Sequence, residues 1–161
     1  MIHYKNMIGL LALFVVLGRG QLLVAQEPQP SNPIFAQRLV ERTIKAHRDM
    51  LDVIFHVTPP DSTDNMAIAA YTAKERGAKS GDDDLGVMTT GKPIVEVQKD
   101  GVRIGVLLPL KDRSGKIIGA LGLMYKYHAG QKENDFLHRS EKIRDDFAKQ
   151  IASREALFEK K

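Results

Sequence analysis

The chain has 161 residues, 43% of them hydrophobic, 27% charged and 6% aromatic, with 13 glycines, 7 prolines and neither cysteine nor tryptophan. That is the make-up of one globular domain with a real core; it excludes a disordered, collagen-like or disulfide-framework chain, and the missing thiol excludes Cys-ligated zinc, an iron–sulfur cluster, a thiolate nucleophile and an acylated lipoprotein cysteine. The net charge of +4 is unevenly placed: Lys5 and Arg19 lie in the first 25 residues, where there is no acid, and the mixed remainder gives no reason to expect a nucleic-acid partner.

Residues 1–26 read as a short n-region with Lys5, an apolar run from Met7 to Leu17, and a more polar stretch ending Leu23-Val24-Ala25-Gln26. This is the layout of a secretory signal peptide, with cleavage expected after Ala25. The rival is an uncleaved anchor over Met7 to Ala25, but a span needs roughly 20 apolar residues and Arg19 with Gln21 interrupts this one. The mature chain is therefore expected to be soluble and periplasmic or secreted, with N-terminal membrane anchoring as the alternative. Residues 26–33 form a Pro-rich flexible lead, residues 34–152 a single domain, and residues 153–161 a polar tail.

Ser31 or Asn32 is placed to cap a first helix. Ala36, Val40, Ile44, His47 and Leu51 recur at helical spacing, with Arg38, Glu41, Arg42, Lys45 and Arg48 on the other faces, so an amphipathic helix is expected to end near residues 47–50. Val53, Phe55 and Val57 then alternate with Asp52, Ile54 and His56 as in a strand, stopped by Thr58-Pro59-Pro60. Residues 61–65 make a turn in which Asp61 and Asp64 are turn formers, and residues 66–71 return as a second strand. Residues 72–81 suit a loop. Residues 82–90 (DDDLGVMTT) suit a short helix with acids at its positive end and Gly91 as its stop.

Three strands follow: 92–99, then 102–111 across the hairpin signal Asp100-Gly101, then 116–127 across the tight turn 112–115. Short turns force antiparallel neighbours, and apolar content puts the last two strands inside the sheet. Asn134 or Asp135 caps a closing helix whose stripe is Phe136, Ser140, Ile143, Phe147 and Ile151, with Asp135–Arg139 and Asp145–Lys149 as expected i,i+4 pairs. The fold class is α+β: a five-stranded antiparallel sheet with a long N-terminal helix, a short helix between strands and a C-terminal helix.

This order of elements, together with residues 107–123 (LLPLKDRSGKIIGALGL), resembles the extracytoplasmic PAS-like sensor domains of the Cache, or PDC sensor, type. In them an apolar strand with a proline turns over an Asp and a Gly into a strand of the form G-x-x-I-G-x-L. Gly115 suits the turn, and Gly119 leaves room for a helix or ligand against the strand. The resemblance spans about Pro33 to Tyr127. It implies a sensor fold with a ligand-binding habit; most such domains sit between two membrane spans of a receptor, and this sequence shows neither a second span nor an output module, so signalling by this chain alone is not implied.

In such domains the ligand sits on one sheet face beneath the short helix and the loop before it. Carried over by position, this points to Tyr71 at the end of the second strand, Arg76 and Lys79 in the loop, Asp82 and Asp84 at the helix start, and Arg103 and Tyr125 on later strands. A cation with a tyrosine can hold a carboxylate, and an aspartate can hold an amine. The plainer reading makes these solvated loop charges, with Arg103 and Glu96 a cross-strand pair.

His56 suits a metal or haem ligand, a general base, or, most simply, a partly buried histidine with a backbone partner. His47 reads as a packing residue near the helix end. No metal-ligand spacing joins the histidines, and the run Asp82-Asp83-Asp84 lacks the alternation of a calcium loop. No serine sits in a G-x-S-x-G elbow, and there is no phosphate-binding loop or dinucleotide fingerprint, so no catalytic residue, metal or cofactor is expected; an unidentified hydrolase is the remote alternative. The favoured function is a small sensor or binding module for an organic ligand such as a carboxylate or amino acid, able to form a homodimer through its first helix. The alternative is a non-catalytic scaffold that uses the same fold to bind another envelope protein.

Overall fold

The computed structural model describes residues 32–160, so the expected signal peptide and most of the Pro-rich lead lie outside the described residues. The elements are α1 (Phe35–Ala46), β1 (Met50–Val57), β2 (Met66–Ala70), α2 (Asp82–Thr90), β3 (Ile94–Val97), β4 (Arg103–Lys111), β5 (Ile117–Lys126) and α3 (Glu133–Gln150), with 3-10 turns at Ala73–Glu75 and Glu155–Phe158. Every expected helix and strand is present, in the expected order. The sheet is fully antiparallel in the order β2-β1-β5-β4-β3, so the last long strand runs down its centre.

Strand parity splits the sheet into two unlike faces. Val53, Phe55 and Val57 of β1, Ile104, Val106, Leu108 and Leu110 of β4, and Leu121, Leu123 and Tyr125 of β5 are all buried against α1 and α3. Phe55 packs on Phe147 of α3 with ring centroids 5.2 Å apart, and Tyr125 on Phe136 at 5.5 Å. The second face, carrying Asp52, Ile54 and His56 of β1 with Gly105 and Gly122, is covered only in part, by α2, whose one buried residue is Val87.

Several local expectations change. Helix α1 begins two residues later than an Asn32 cap requires, and three later than a Ser31 cap: Ile34 holds the N-cap position without a side-chain hydrogen bond, and Arg38 Nη1 donates to the Pro33 carbonyl at 2.6 Å. Helix α3 likewise starts at Glu133 with Lys132 at its N-cap. Its pairs are also redrawn, because Arg139 reaches off the helix to Asp49 and Lys149 pairs with Asp146 at 2.7 Å, not with Asp145. Gly119 makes room for a neighbouring strand and not for a helix or ligand: a Cβ there would overlap the His56 carbonyl oxygen and lie 2.8 Å from Val57 Cγ2.

The expected polar tail is part of the domain. Leu157 in the last 3-10 turn is fully buried, Phe35 N–H donates to the Glu159 carbonyl at 2.8 Å, and Ile34 bridges to Lys160. The signal was present in the apolar run Ala156-Leu157-Phe158: Leu157 is in the core and Phe158 packs against it, between charged residues that give the segment a polar look. No helix among the described residues is long and apolar enough to cross a membrane.

Candidate functional site

The partly covered sheet face holds a cleft of about 450 Å³. Its floor is made by Ile54, Gly105, Leu107, Gly122 and Met124, three strands that meet at the centre of the sheet. The two glycines make this concavity, since any side chain at 105 or 122 would project into it; an added Cβ at Gly122 meets only ordinary contacts, the nearest at 3.7 Å. One side is formed by Thr72, Lys74 and Glu75 after β2, the other by Ile94, Glu96 and Arg103, and Asp83 of α2 overlooks it.

At the β1 edge of the cleft lies Asp52, only 8% exposed. Its Oδ1 accepts the backbone N–H groups of Val53 at 2.8 Å, Tyr71 at 3.0 Å and Thr72 at 3.2 Å. These bonds end β2 and turn the chain into the cleft wall, so this carboxylate positions the loop. Its Oδ2 has no hydrogen-bond partner among the described residues. Asp112 shows the same one-oxygen pattern in the β4–β5 turn, taking Ser114 N–H, Ser114 Oγ–H and Lys116 N–H on Oδ1, but it lines no part of the cleft.

Beneath α2 a second polar group is fixed by its own hydrogen bonds. Asn65 Nδ2 donates to Thr58 Oγ1 at 3.3 Å and Met88 Sδ at 3.4 Å, which leaves Asn65 Oδ1 to accept the Ser80 hydroxyl at 2.6 Å. Ser80 Oγ then accepts from His56 Nδ1, 3.0 Å away, so the neutral imidazole carries its proton on Nδ1. Asp84 Oδ2 is 3.5 Å from the same nitrogen and also accepts the Gly81 N–H at 2.8 Å, capping α2. Burial pushes the His56 pKa below the ordinary imidazole value, against the opposing pull of Asp84 and Glu75. Ser80, His56 and Asp84 are not a nucleophile relay: serine and aspartate face the same ring nitrogen, and the serine proton is given to Asn65. His56 thus ties β1 to the residues before α2 through side chains, where a backbone partner was the simplest expectation.

Of the residues expected to contact a ligand, Arg103 lines the cleft, with its Nε held by Asp100 at 2.5 Å and not by Glu96. Tyr71 stands 38% exposed beyond the end of β2, and Arg76 Nε is turned back onto the Ala70 carbonyl at 2.9 Å. Lys79 pairs with Asp64 at 3.2 Å on the far side of the β1–β2 turn. Asp82 is exposed at the start of α2, and Asp84 is committed to Gly81 and His56, leaving Asp83 as the acid of that run at the cleft.

Tyr125 is not brought to the cleft. It is fully buried on the opposite face, with its hydroxyl 2.8 Å from Ser140 Oγ, its ring under the Arg139 guanidinium, and its pKa raised by that burial. The reason is parity: Tyr125 shares the phase of Leu121 and Leu123, the core phase, while Gly122 and Met124 face the cleft. Sequence reasoning missed Asp52, Glu75 and Glu96. Asp52 shares the phase of Ile54 and His56, the one signal that would have placed it. Among the described residues no three of His, Asp and Glu converge as metal ligands.

No protein-family model and no curated protein matches the chain. Solved structures do match its fold. The A. aeolicus nlh2 GAF domain in an inactive state superposes with a TM-score of 0.55 at 12% sequence identity, over 71% of this chain and 82% of that one. A GAF sensor protein from Burkholderia vietnamiensis superposes with a TM-score of 0.52 at 13% identity, over 75% of this chain and 76% of that one. At these identities the likeness is one of fold alone: the α+β architecture of this chain matches that of these two GAF domains.

Proposed function

We propose that this protein is a non-catalytic sensory module that binds a small organic molecule in the sheet-face cleft. The observation that carries this reading is the cleft itself: about 450 Å³ of open volume over the central strands, with an apolar floor and convergent polar groups, in a domain whose other face is packed shut. The fold it shares with sensor domains supports the same reading.

Export, and membership of the extracytoplasmic Cache branch in particular, rest on the sequence: the apolar run after Lys5, the Leu23-Val24-Ala25 end, and the strand–turn–strand at 107–123. N-terminal sequencing of the exported protein tests the first; a chain beginning at Met1 in a membrane fraction rejects cleavage. A homodimer through α1 would have to use its polar side, because Ala36, Leu39, Val40 and Thr43 are buried within the domain.

The direct test is a thermal-shift screen of organic acids, amines and amino acids, followed by native mass spectrometry of the protein from its host. At least one class is expected to raise the melting temperature, with the bound mass seen in the native spectrum. If none does, and backbone amides at Gly105 and Gly122 stay unmoved in titrations, small-molecule binding is rejected. A protein partner recovered from the envelope would then favour the scaffold reading.

A further inference from the structure

We infer that the cleft selects an organic cation, a primary ammonium with an apolar body, and that Asp52 Oδ2 is its anchor. The inference rests on the proposed binding function and adds the chemical class of the ligand.

The first observation is the unused oxygen. Asp52, a largely buried residue of the cleft lining, has one oxygen saturated by three backbone donors and the other open to solvent with no protein donor among the described residues. No side-chain oxygen or nitrogen among the described residues is both fully buried and unpartnered, so Oδ2 meets the solvent of the cleft. A ligand that displaces that solvent without replacing its hydrogen bonds leaves a desolvated carboxylate oxygen, at the cost of an unpaired buried polar group. A ligand seated over this oxygen is therefore favoured if it presents a hydrogen-bond donor there. An ammonium brings three donors and no acceptor, and its bond to a carboxylate is charge-assisted.

The second observation is the balance of charge around that oxygen. Besides Asp52, the lining carries Glu75, Asp83 and Glu96 against Lys74 and Arg103. Both cations are already engaged, Arg103 by Asp100 at 2.5 Å and Lys74 by Glu75 at 3.8 Å. Asp83 and Glu96 have no ion-pair partner among the described residues. The uncommitted charge at the cleft is negative, which disfavours a carboxylate ligand and favours a cation over a neutral donor. The third observation fixes the rest of the molecule: Ile54, Leu107 and Met124 give the floor an apolar surface that an inorganic cation would not use.

The test uses three molecules that share one apolar body: phenethylamine, 2-phenylethanol and 3-phenylpropanoate, titrated at neutral pH and fixed ionic strength while backbone amide shifts are followed. Phenethylamine is expected to move the Gly105 and Gly122 amides, the alcohol to bind roughly tenfold more weakly, and the acid not to bind. Asp52→Asn keeps an oxygen for the three backbone donors and removes the charge, so it should cut the roughly tenfold preference of amine over alcohol to about the two- to threefold that the remaining carboxylates supply. Glu96→Gln, at an exposed position that leaves folding untouched, should weaken the amine by about two- to threefold and leave the alcohol unchanged; it serves as the reading if Asp52→Asn does not fold. Tighter binding of the acid or the alcohol at the same amides overturns the cation assignment and leaves the cleft a binding site. Amine preference that survives both substitutions undiminished overturns the role of the carboxylates. Failure of all three molecules to move the cleft overturns the assignment too, and the broader screen then decides on binding itself.

Discussion

The two faces of this sheet are made from the same five strands and do opposite things. On the helix face the inward positions are filled mostly by Leu, Ile, Val, Phe and Tyr, and the polar groups there are closed on the protein, Tyr125 with Ser140 and Gln37 with the Ala70 backbone. On the cleft face alternate positions are Asp52, His56, Gly105 and Gly122, under one nine-residue helix with one buried side chain. A β-strand changes face every residue, so stability and ligand chemistry can be written into one strand in alternation without competing. Strand β1 shows it best: Val53, Phe55 and Val57 hold the core, while on the other face Asp52 and Ile54 line the cleft and His56 bonds Ser80 before α2.

The comparison can be broken most severely on the helix face. Phe147→Ala removes the ring that packs on Phe55 and is expected to cost about 4 kcal/mol of unfolding free energy, read by urea denaturation. Next comes Gly119→Ala, which drives a methyl into the backbone of β1; a carbonyl in a paired strand cannot swing aside, and a loss of about 3 kcal/mol is expected. A stable Gly119→Ala protein would mean that β1 and β5 are less tightly joined than described.

A smaller effect comes from His56, and its sign follows from burial. With the folded pKa held below 6.5, the unfolded chain takes up the proton first as pH falls. Stability from this group is full above about pH 6.5 and is lost as pH falls through the folded pKa. His56→Gln should flatten the decline in melting temperature between pH 7 and 5, and an unchanged slope would show that other groups set it. The smallest change in stability belongs to Gly122→Ala, the cleft-face counterpart of Gly119→Ala. Within about 0.5 kcal/mol of the parent, it should still weaken ligand binding by filling the floor. Equal destabilisation by the two alanines would erase the distinction between the faces.

How far the sequence could be read follows the same division. Helical and strand periods, with the Asp100-Gly101 and 112–115 turns, are local signals, and they delivered the elements and their antiparallel order. The pairing of β1 with β5 is not local; nothing near either strand announces it, and it alone puts Asp52 beside the central floor. Tyr125 was legible and misplaced, because its phase with Leu121 and Leu123 outweighs any analogy of position. Arg139 was read as a helix-surface partner of Asp135, but its bidentate pair with Asp49 depends on a residue 90 positions away. That guanidinium lowers the pKa of Asp49, which an i,i+4 pairing on the helix surface would not have indicated.

The bridge between Ile34 and Lys160, with the Phe35–Glu159 hydrogen bond beside it, brings the two ends of the domain together. Neighbouring paired strands lie about 5 Å apart, so whatever is joined to one end is held within reach of whatever is joined to the other. Such a domain can be spliced into a surface loop of another protein with little distortion of its host, and it can be circularly permuted with a short linker across that seam. Tension applied between those ends would peel this seam as a zipper, one bond at a time, before it loaded the sheet.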